Sequence, residues 1–576
     1  MFNFERPIIF AALFLTGCAT HVAPTRAPQQ IASTPTKAAV ATAHPLASAA
    51  ALRMLDAGGA PIDAAIAAQM VLGLVESQSS GIGGGALLLH FDASTKQLES
   101  FDGLAAAPAK VTAALTIDTD GTVLKSEAVQ RGGRSAGVPG NLAVLKHVHG
   151  RYGKLAWAQL FAPAIELAES GYPMAAYMHG ILSAPTAALD HPELLPVFFA
   201  ADLKPHPIGS SIKNPAYAAT MRRVAADGPS GAWGKDGADF LAAAQRGSHA
   251  SLITAADLTS YRAEERDTLC APFLAYSVCM MAPPSFGGVV VLQVLQMLES
   301  RATPSVLANR FNFDDAEFLH YFAESGRLAQ ADRLHYVGDP AFTRVPTKAL
   351  VARDYLRERA ASITPARAAR EVNPGSVEKK AARIEPDMAD ASHDATSQIA
   401  IVDQHGNALS MTTTNNLNFG SRLVANGVVV NNALTNFTGP PRAGQAAPNR
   451  MEAGKRPVTS MAPTIVFDKA GMPVVIGGSA GGGQIVDYIS QSLVEMLANN
   501  RSPAEALARG HVSTAIRGKL QLERGTAAAA HTESLKAKGH DVEVVPMPSG
   551  LGFLMRRGEG WIGAADPRRD GVAVGR

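Results

Sequence analysis

DATSQIAIVDQHGNALSMTTTNNLNFG, residues 394–420, is the stretch on which the fold turns. Ser397 to Val402 is rich in apolar and β-branched residues, Ala408 to Thr413 is again strand-like, and the five residues from Asp403 to Asn407 are turn chemistry. The pattern predicts a β-hairpin. With Val402 facing Ala408, every facing pair sums to the same number, so Thr396 lies opposite Thr414 with Cβ atoms about 4.5–5.5 Å apart. Two hydroxyls then meet at the open end, with Asn415, Asn416 and Asn418 just beyond. Ordinary strand pairs also carry threonines, so any chemical meaning must come from the rest of the chain.

The chain has 576 residues, too many for one ordinary core, although a large sandwich of helices and sheets can hold most of it together. A hydrophobic content of 47% is that of a globular protein. The net charge is only +2, and no long basic run is interleaved with aromatics. Those features argue against nucleic-acid binding.

Residues 7–16 form an apolar run too short to span a bilayer, followed by Gly17 and Cys18. Leu15-Thr16-Gly17-Cys18 resembles the lipobox of bacterial lipoproteins. That implies a signal peptide over 1–17, lipidation of Cys18, and a tether over 18–38 rich in Pro, Ala, Thr and Gln. Glu5 beside Arg6 departs from the usual basic leader, and an ordinary secretory peptide is the alternative. Either reading exports the protein to the periplasm. Ala19 suits the outer membrane, with the lipid as the only membrane link. Cys270 and Cys279 flank a strand-like stretch, and in an oxidising compartment they either pair or remain buried thiols.

Helices are expected from Pro45 to the stop at Gly58-Gly59, with Leu46, Leu52 and Leu55 as its apolar residues, and from Pro61 to Val75. The run Gly81-Ile-Gly-Gly-Gly85 leads into a strand from Ala86 to Phe91. That order is the reverse of a phosphate loop and reads as close backbone packing. Further helices follow Gly140 and Gly288, and amphipathic stretches cover Trp157 to Glu169 and Asp315 to Arg333. From Glu358 to Ala395 the apolar stripe dissolves into what reads as an exposed, mobile segment. Beyond the hairpin, a strand is expected over Gly427 to Asn431. Pro473 to Gly483 then runs from strand through glycines into a helix at Gln484, presenting backbone N–H groups suited to a phosphate or an oxyanion. The Lys-Ser/Thr ending of a nucleotide loop is missing, which favours the oxyanion.

Taken together, these residues resemble the γ-glutamyltransferases, also called glutathione hydrolases, of the N-terminal nucleophile hydrolases. The likeness covers nearly everything after about Ala38. It includes Ala43-His-Pro-Leu-Ala-Ser-Ala-Ala50, the glycine run at 81–85, Val138-Pro-Gly140, Ala331-Asp-Arg333, Lys455-Arg-Pro457 and Ala565-Asp-Pro-Arg568. The resemblance implies an α+β fold, a four-layer αββα sandwich, with large (39–395) and small (396–576) fragments sharing one core. It implies cleavage of the Ala395–Thr396 bond, after which the freed α-amine, with a pKa of about 8, serves as base for the Thr396 hydroxyl. Thr414 matches the threonine that orients the nucleophile, and Gly481 with Gly482 the oxyanion pair. Thr459 and Ser460 stand where two serines grip a substrate carboxylate, and Asn416 matches a residue that holds the glutamyl amine. No cofactor or metal is implied, and the histidines show no ligand spacing. The implied partners are a small γ-glutamyl or acyl amide such as glutathione, an acceptor amino acid, peptide or water, and the two fragments for each other.

The departures concern the acyl group. Leu104 occupies the place of an arginine that pairs with the glutamyl carboxylate. Ala433 replaces a glutamine, and Asn436 replaces the aspartate that binds the α-ammonium. Each charge-assisted bond lost is worth about 1.5–3 kcal/mol, and Arg422, Arg442 and Arg450 are the candidates for replacing them. Gln398 stands where many relatives have histidine. Two alternatives follow: an acyl group without the α-amino acid head, as in cephalosporin acylases, or a non-catalytic surface lipoprotein. The pattern Gly477-Gly-Ser-Ala-Gly481 also fits a nucleophile elbow, which would make Ser479 the nucleophile.

Overall fold

Ser397–Val402 and Ala408–Thr414 form the hairpin, paired from Val402 with Ala408 to Ser397 with Thr413. The Asp403 carboxylate closes its loop by accepting the backbone N–H groups of His405 and Asn407, each at 2.9 Å. The computed structural model describes residues 35–112, 126–184, 192–246, 250–301, 311–377, 395–438, 447–515 and 518–576.

Two antiparallel sheets carry the architecture. Along the chain their strands are β1 (Ala39–Thr42), β2 (Gly85–Asp92), β3 (Gln97–Gly103), β4 (Glu264–Arg266), β5 (Thr268–Phe273), β6 (Tyr276–Met281) and the hairpin strands β7 and β8. They continue with β9 (Thr464–Phe467), β10 (Pro473–Gly478), β11 (Gly552–Arg557), β12 (Gly560–Ala565) and β13 (Val572–Gly575). The seven-stranded sheet runs β13-β1-β7-β8-β2-β3-β4 and the six-stranded sheet β12-β11-β10-β9-β6-β5. The hairpin is thus central in the first sheet, and every residue of β7 is buried.

Strand alternation sorts β7 between two environments. Ala400 and Val402 join Leu87, Met281, Ile465, Ile476 and Leu554 in an apolar cluster drawn from both sheets. Ile399 and Ile401 turn the other way, into a cluster with the helices α1 (Pro45–Asp56), α2 (Pro61–Val75) and α3 (Asn141–Tyr152). The second sheet carries its own cluster, in which Val278, Val466, Val475 and Phe553 meet α4 (Phe286–Arg301), α5 (Ala316–Tyr336), α6 (Arg353–Ala361) and α7 (Ile485–Leu497).

Both α1 and α2 open on the expected proline, whose fixed φ suits a first helical position. All of α2 is buried, and each of its Ile, Leu, Val and Met side chains contributes about 1.5–3 kcal/mol of burial. The buried face of α1 is Ala47, Ser48, Ala50, Ala51 and Met54. Leu46, Leu52 and Leu55 are only partly covered, because small side chains line the face nearest α2. The glycine run packs closely against backbone as expected: a Cβ on Gly83 would stand 2.1 Å from the Val429 carbonyl oxygen, and one on Gly84 2.0 Å from that of Thr414.

Some expectations are corrected, others refined or decided between alternatives. The segment from Glu358 begins inside α6 and buries Ala360, Ile363 and Ala368, while most of its other residues as far as 377 are exposed, as expected; residues 378–394 lie outside the described residues. The strand expected over Gly427 to Asn431 is two residues, Val428–Val429, paired with Val424–Ala425. Trp157 to Glu169 is a 3-10 turn, Trp157–Phe161, running into a helix from Ala162 to Ser170. Cys270 and Cys279 face each other across β5 and β6 and form a disulfide. The signal peptide, Cys18 and most of the tether lie outside the described residues. The tether's last residues are tied down: Thr36 bridges to Trp561, and the N–H groups of Lys37 and Ala38 donate to the Arg576 carbonyl. No described helix is long and apolar enough to cross a membrane.

Candidate active site

Thr396 heads β7, and its hydroxyl donates to Thr414 Oγ1 at 2.9 Å, the meeting that the hairpin register predicts. Thr414 Oγ1 also accepts the Asn416 N–H at 2.8 Å. The loop after α2 pins both strand ends, because the N–H groups of Thr396 and Asn415 donate to one carbonyl, that of Ser79, at 3.1 and 3.0 Å. On the opposite side, the Arg569 guanidinium donates to the Thr396 carbonyl at 3.2 Å. Thr396 has φ +101°. For a β-branched residue this is a strained backbone, costing about 1–3 kcal/mol, held where the chain leads into β7 from Ala395, itself fully buried.

The glycine loop lies at the same end of the two sheets. Ser410, paired with Ala400, donates to the Gly477 carbonyl at 2.8 Å, and a Cβ on Gly478 would stand 2.5 Å from Gln398 Oε1. Advancing along β10 therefore moves toward the head of β7. Beyond Gly478 the backbone takes positive φ at Gly481 (+126°) and Gly482 (+57°), makes a 3-10 turn over Gly482–Gln484 and enters α7 at Ile485, one residue later than expected. Ala480 and Gly550 exchange backbone hydrogen bonds, and Gly550 lies against the Arg569 guanidinium, which closes the circuit back to Thr396. The Ser460 hydroxyl donates to the Gly482 carbonyl at 2.6 Å. Its neighbour Thr459 accepts the Met461 N–H at 3.2 Å, and both hydroxyl residues are buried.

On the far side, the Asn416 amide donates to Thr435 Oγ1 at 2.9 Å and to the Asn432 carbonyl at 3.2 Å, which docks it against the 3-10 turn Ala433–Asn436. The Asn436 carbonyl accepts from the Asn449 amide at 2.7 Å. Leu104 is buried in the apolar cluster between the sheets, together with Met281 and Met461. Its N–H donates to Asp102, whose carboxylate is already held by Arg266 at 3.0 Å and Arg456 at 2.8 Å. Of the arginines named as replacements, Arg450 pairs with Glu452, Arg422 sits in a turn with φ +67°, and Arg442 lies outside the described residues. Gln398 is buried and satisfied: it accepts the Thr412 hydroxyl at 2.6 Å and donates to Ser410.

The nucleophile-elbow reading has the wrong partners. Ser479 is fully buried and donates to the Ala480 carbonyl at 2.7 Å. His511, kept neutral by burial that pushes its pKa down to about 3, meets Ser549 at 2.6 Å.

Three contributors escaped the sequence reading: the Ser79 carbonyl, Arg569 and Glu76. Glu76 is buried at the end of α2. Its carboxylate accepts the Ser397 hydroxyl at 2.9 Å and the Gln78 amide at 3.3 Å. Burial pushes its pKa up to about 7, against the pull of Arg569. An acid placed directly after the apolar run Met70 to Val75 was the available signal.

A gamma-glutamyltranspeptidase family profile matches residues 47–576. The chain belongs to the gamma-glutamyltranspeptidase family. Among curated relatives, a glutathione hydrolase proenzyme of Bacillus subtilis strain 168 is 29% identical over 93% of this chain and 91% of its own length. An acylase ACY 1 proenzyme of Pseudomonas sp. strain SE83 is 31% identical over 93% of each. Among solved structures, a cephalosporin acylase from Bacillus halodurans aligns with TM-score 0.81 over 98% of this chain and 99% of that chain, at 23% identity, a likeness of fold. The family's mixed helix-and-sheet fold and its enzymatic character therefore extend to this chain.

Proposed function

We propose that the chain cuts itself between Ala395 and Thr396 and then works as a γ-glutamyltransferase and glutathione hydrolase-like enzyme with Thr396 as nucleophile. The observation that carries this reading is the 2.9 Å contact between the Thr396 and Thr414 hydroxyls at the strained head of β7. The Thr396 oxygen attacks the acyl carbonyl while the freed amine takes its proton, and that proton then leaves with the departing amine. The ester formed on Thr396 is resolved by water or by an acceptor amine. Gly481 and Gly482 face the developing oxyanion, Thr414 orients the nucleophile, and Asn416, Asn436, Thr459 and Ser460 surround the acyl group. The fragments 39–395 and 396–576 stay together as a four-layer αββα sandwich. A signal peptide over 1–17, lipidated Cys18 and a tether would place the enzyme in the periplasm on the outer membrane.

One observation favours a second reading of the substrate. Leu104 faces an apolar cluster, and Asp102 beside it is already neutralised by two arginines, which suits an acyl group lacking the α-amino acid head. The mechanism is the same for both.

The test is the intact mass, under denaturing conditions, of the chain lacking residues 1–18, beside Thr396→Ala. Two fragments, the smaller beginning at Thr396 and absent from the variant, are expected. A folded chain that stays whole would remove the amine and the mechanism with it. Turnover of a γ-glutamyl anilide then separates the two substrate readings.

A further inference from the structure

Glu76 is 2% exposed, sits where α2 ends, and is not absorbed by the chemistry above. One hydrogen bond joins it to the residue after the nucleophile: Ser397 Oγ donates to Glu76 Oε2 at 2.9 Å, and Ser80 Oγ reaches Ser397 Oγ at 3.0 Å. The same short loop carries the Ser79 carbonyl that receives the Thr396 N–H. Arg569, buried to 8% exposure, donates to the Thr396 carbonyl and is the cation whose field reaches Glu76. A buried carboxyl group and a guanidinium cation thus flank one peptide unit, where little water screens them.

We propose that Glu76, acting through Ser397 and set against Arg569, is the positioning residue that keeps the Thr396 amine basic enough to take the hydroxyl proton. The inference rests on the reading that Thr396 is the nucleophile. Arg569 alone would disfavour an ammonium at Thr396 and weaken the amine as a base, and Glu76, which burial leaves ionised only above about pH 7, offsets that field once it is a carboxylate. A base whose pKa lies near the working pH is the most effective. The charged groups facing Glu76 are Arg569 and Asp570 from the C-terminal segment; Gln78 from its own loop and Ser397 from β7 donate hydrogen bonds to it. Asp570 accepts the Tyr177 N–H at 2.9 Å, and Arg569 lies over the Tyr177 ring.

The experiment measures kcat/KM against pH, between about pH 5 and 10, for the processed enzyme and the variants Glu76→Gln, Ser397→Ala and Arg569→Gln, with cleavage checked by intact mass. Glu76→Gln is expected to move the acidic limb to lower pH, on the order of one unit, and to lower the plateau. Ser397→Ala, which strips a hydrogen bond from the carboxylate, is expected to move it the same way by less. Arg569→Gln is expected to move it upward. A purely structural role would lower the rate and leave all limbs at the wild-type pH, which would overturn the proposal. Where Glu76→Gln stays uncut, the Ser397→Ala limb decides: a downward shift supports the proposal, and the wild-type limb overturns it. Turnover by Thr396→Ala would instead sink the nucleophile reading.

Discussion

Gly481→Ala isolates the glycine loop from the nucleophile. At φ +126° an alanine is strained, costing about 1–3 kcal/mol. Its Cβ would stand 2.5 Å from Tyr488 Cε2, an overpacking that costs about 1–3 kcal/mol more. The ring has nowhere to retreat: Tyr488 is fully buried, its hydroxyl donates to Gln484 at 2.7 Å, and its ring lies 4.3 Å from that of His511. The loop between Gly478 and Ile485 must give instead, turning its N–H groups off the proposed oxyanion position. Losing one such donor lowers kcat by about 100- to 1000-fold. The assay is intact mass, to establish that the variant is cut, followed by steady-state kinetics; kcat should fall by that factor with KM little changed. Gly483→Ala is the control, since its Cβ meets only the Ala515 methyl at 3.5 Å. A cut Gly481→Ala enzyme turning over within a few-fold of wild type would refute the reasoning.

Thr396→Gly and Thr396→Ala should both stay uncut, and the glycine variant should melt higher, since it alone relaxes φ +101°; equal melting points would show that the position holds no strain. Burial holds His44 and His90 near pKa 4 and His511 near 3, below their ordinary value. The unfolded chain therefore binds more protons, and their stabilisation, fully present above about pH 6.5, is lost as pH falls toward 4. Denaturant midpoints should be lower at about pH 5 than at about pH 7, and an unchanged midpoint would contradict the burial. Replacing Cys270 and Cys279 by alanine opens a cross-link nine residues apart and should lower stability by about 2–3 kcal/mol in urea titration.

The hairpin register was legible because a five-residue loop leaves one pairing, and the pairing places Thr396 against Thr414. The prolines opening α1 and α2 were legible for a similar local reason. Contacts across the chain were not: Arg569 reaches Thr396 from 173 positions away, and only the fold brings them together. α6 was lost among its charges, because just Leu356 and Ala360 are buried in it while Arg359 is anchored to Asp332 at 2.9 Å. Leu104 could be seen to break the family's pattern, but its inward side, against Met281 and Met461, needed the second sheet.

The strand order of the first sheet bears on how the molecule is made. β1 lies between β13 and β7, so a strand from before residue 396 is threaded between two from after it. Two separately born pieces would have to find each other and interleave, a bimolecular search with no partial product that buries its apolar edges. In one chain the same search is intramolecular, at the effective concentration that a covalent link supplies. On the proposed cleavage, the Ala395–Thr396 peptide bond is a scaffold for assembly, needed until the sheets have closed and redundant afterwards.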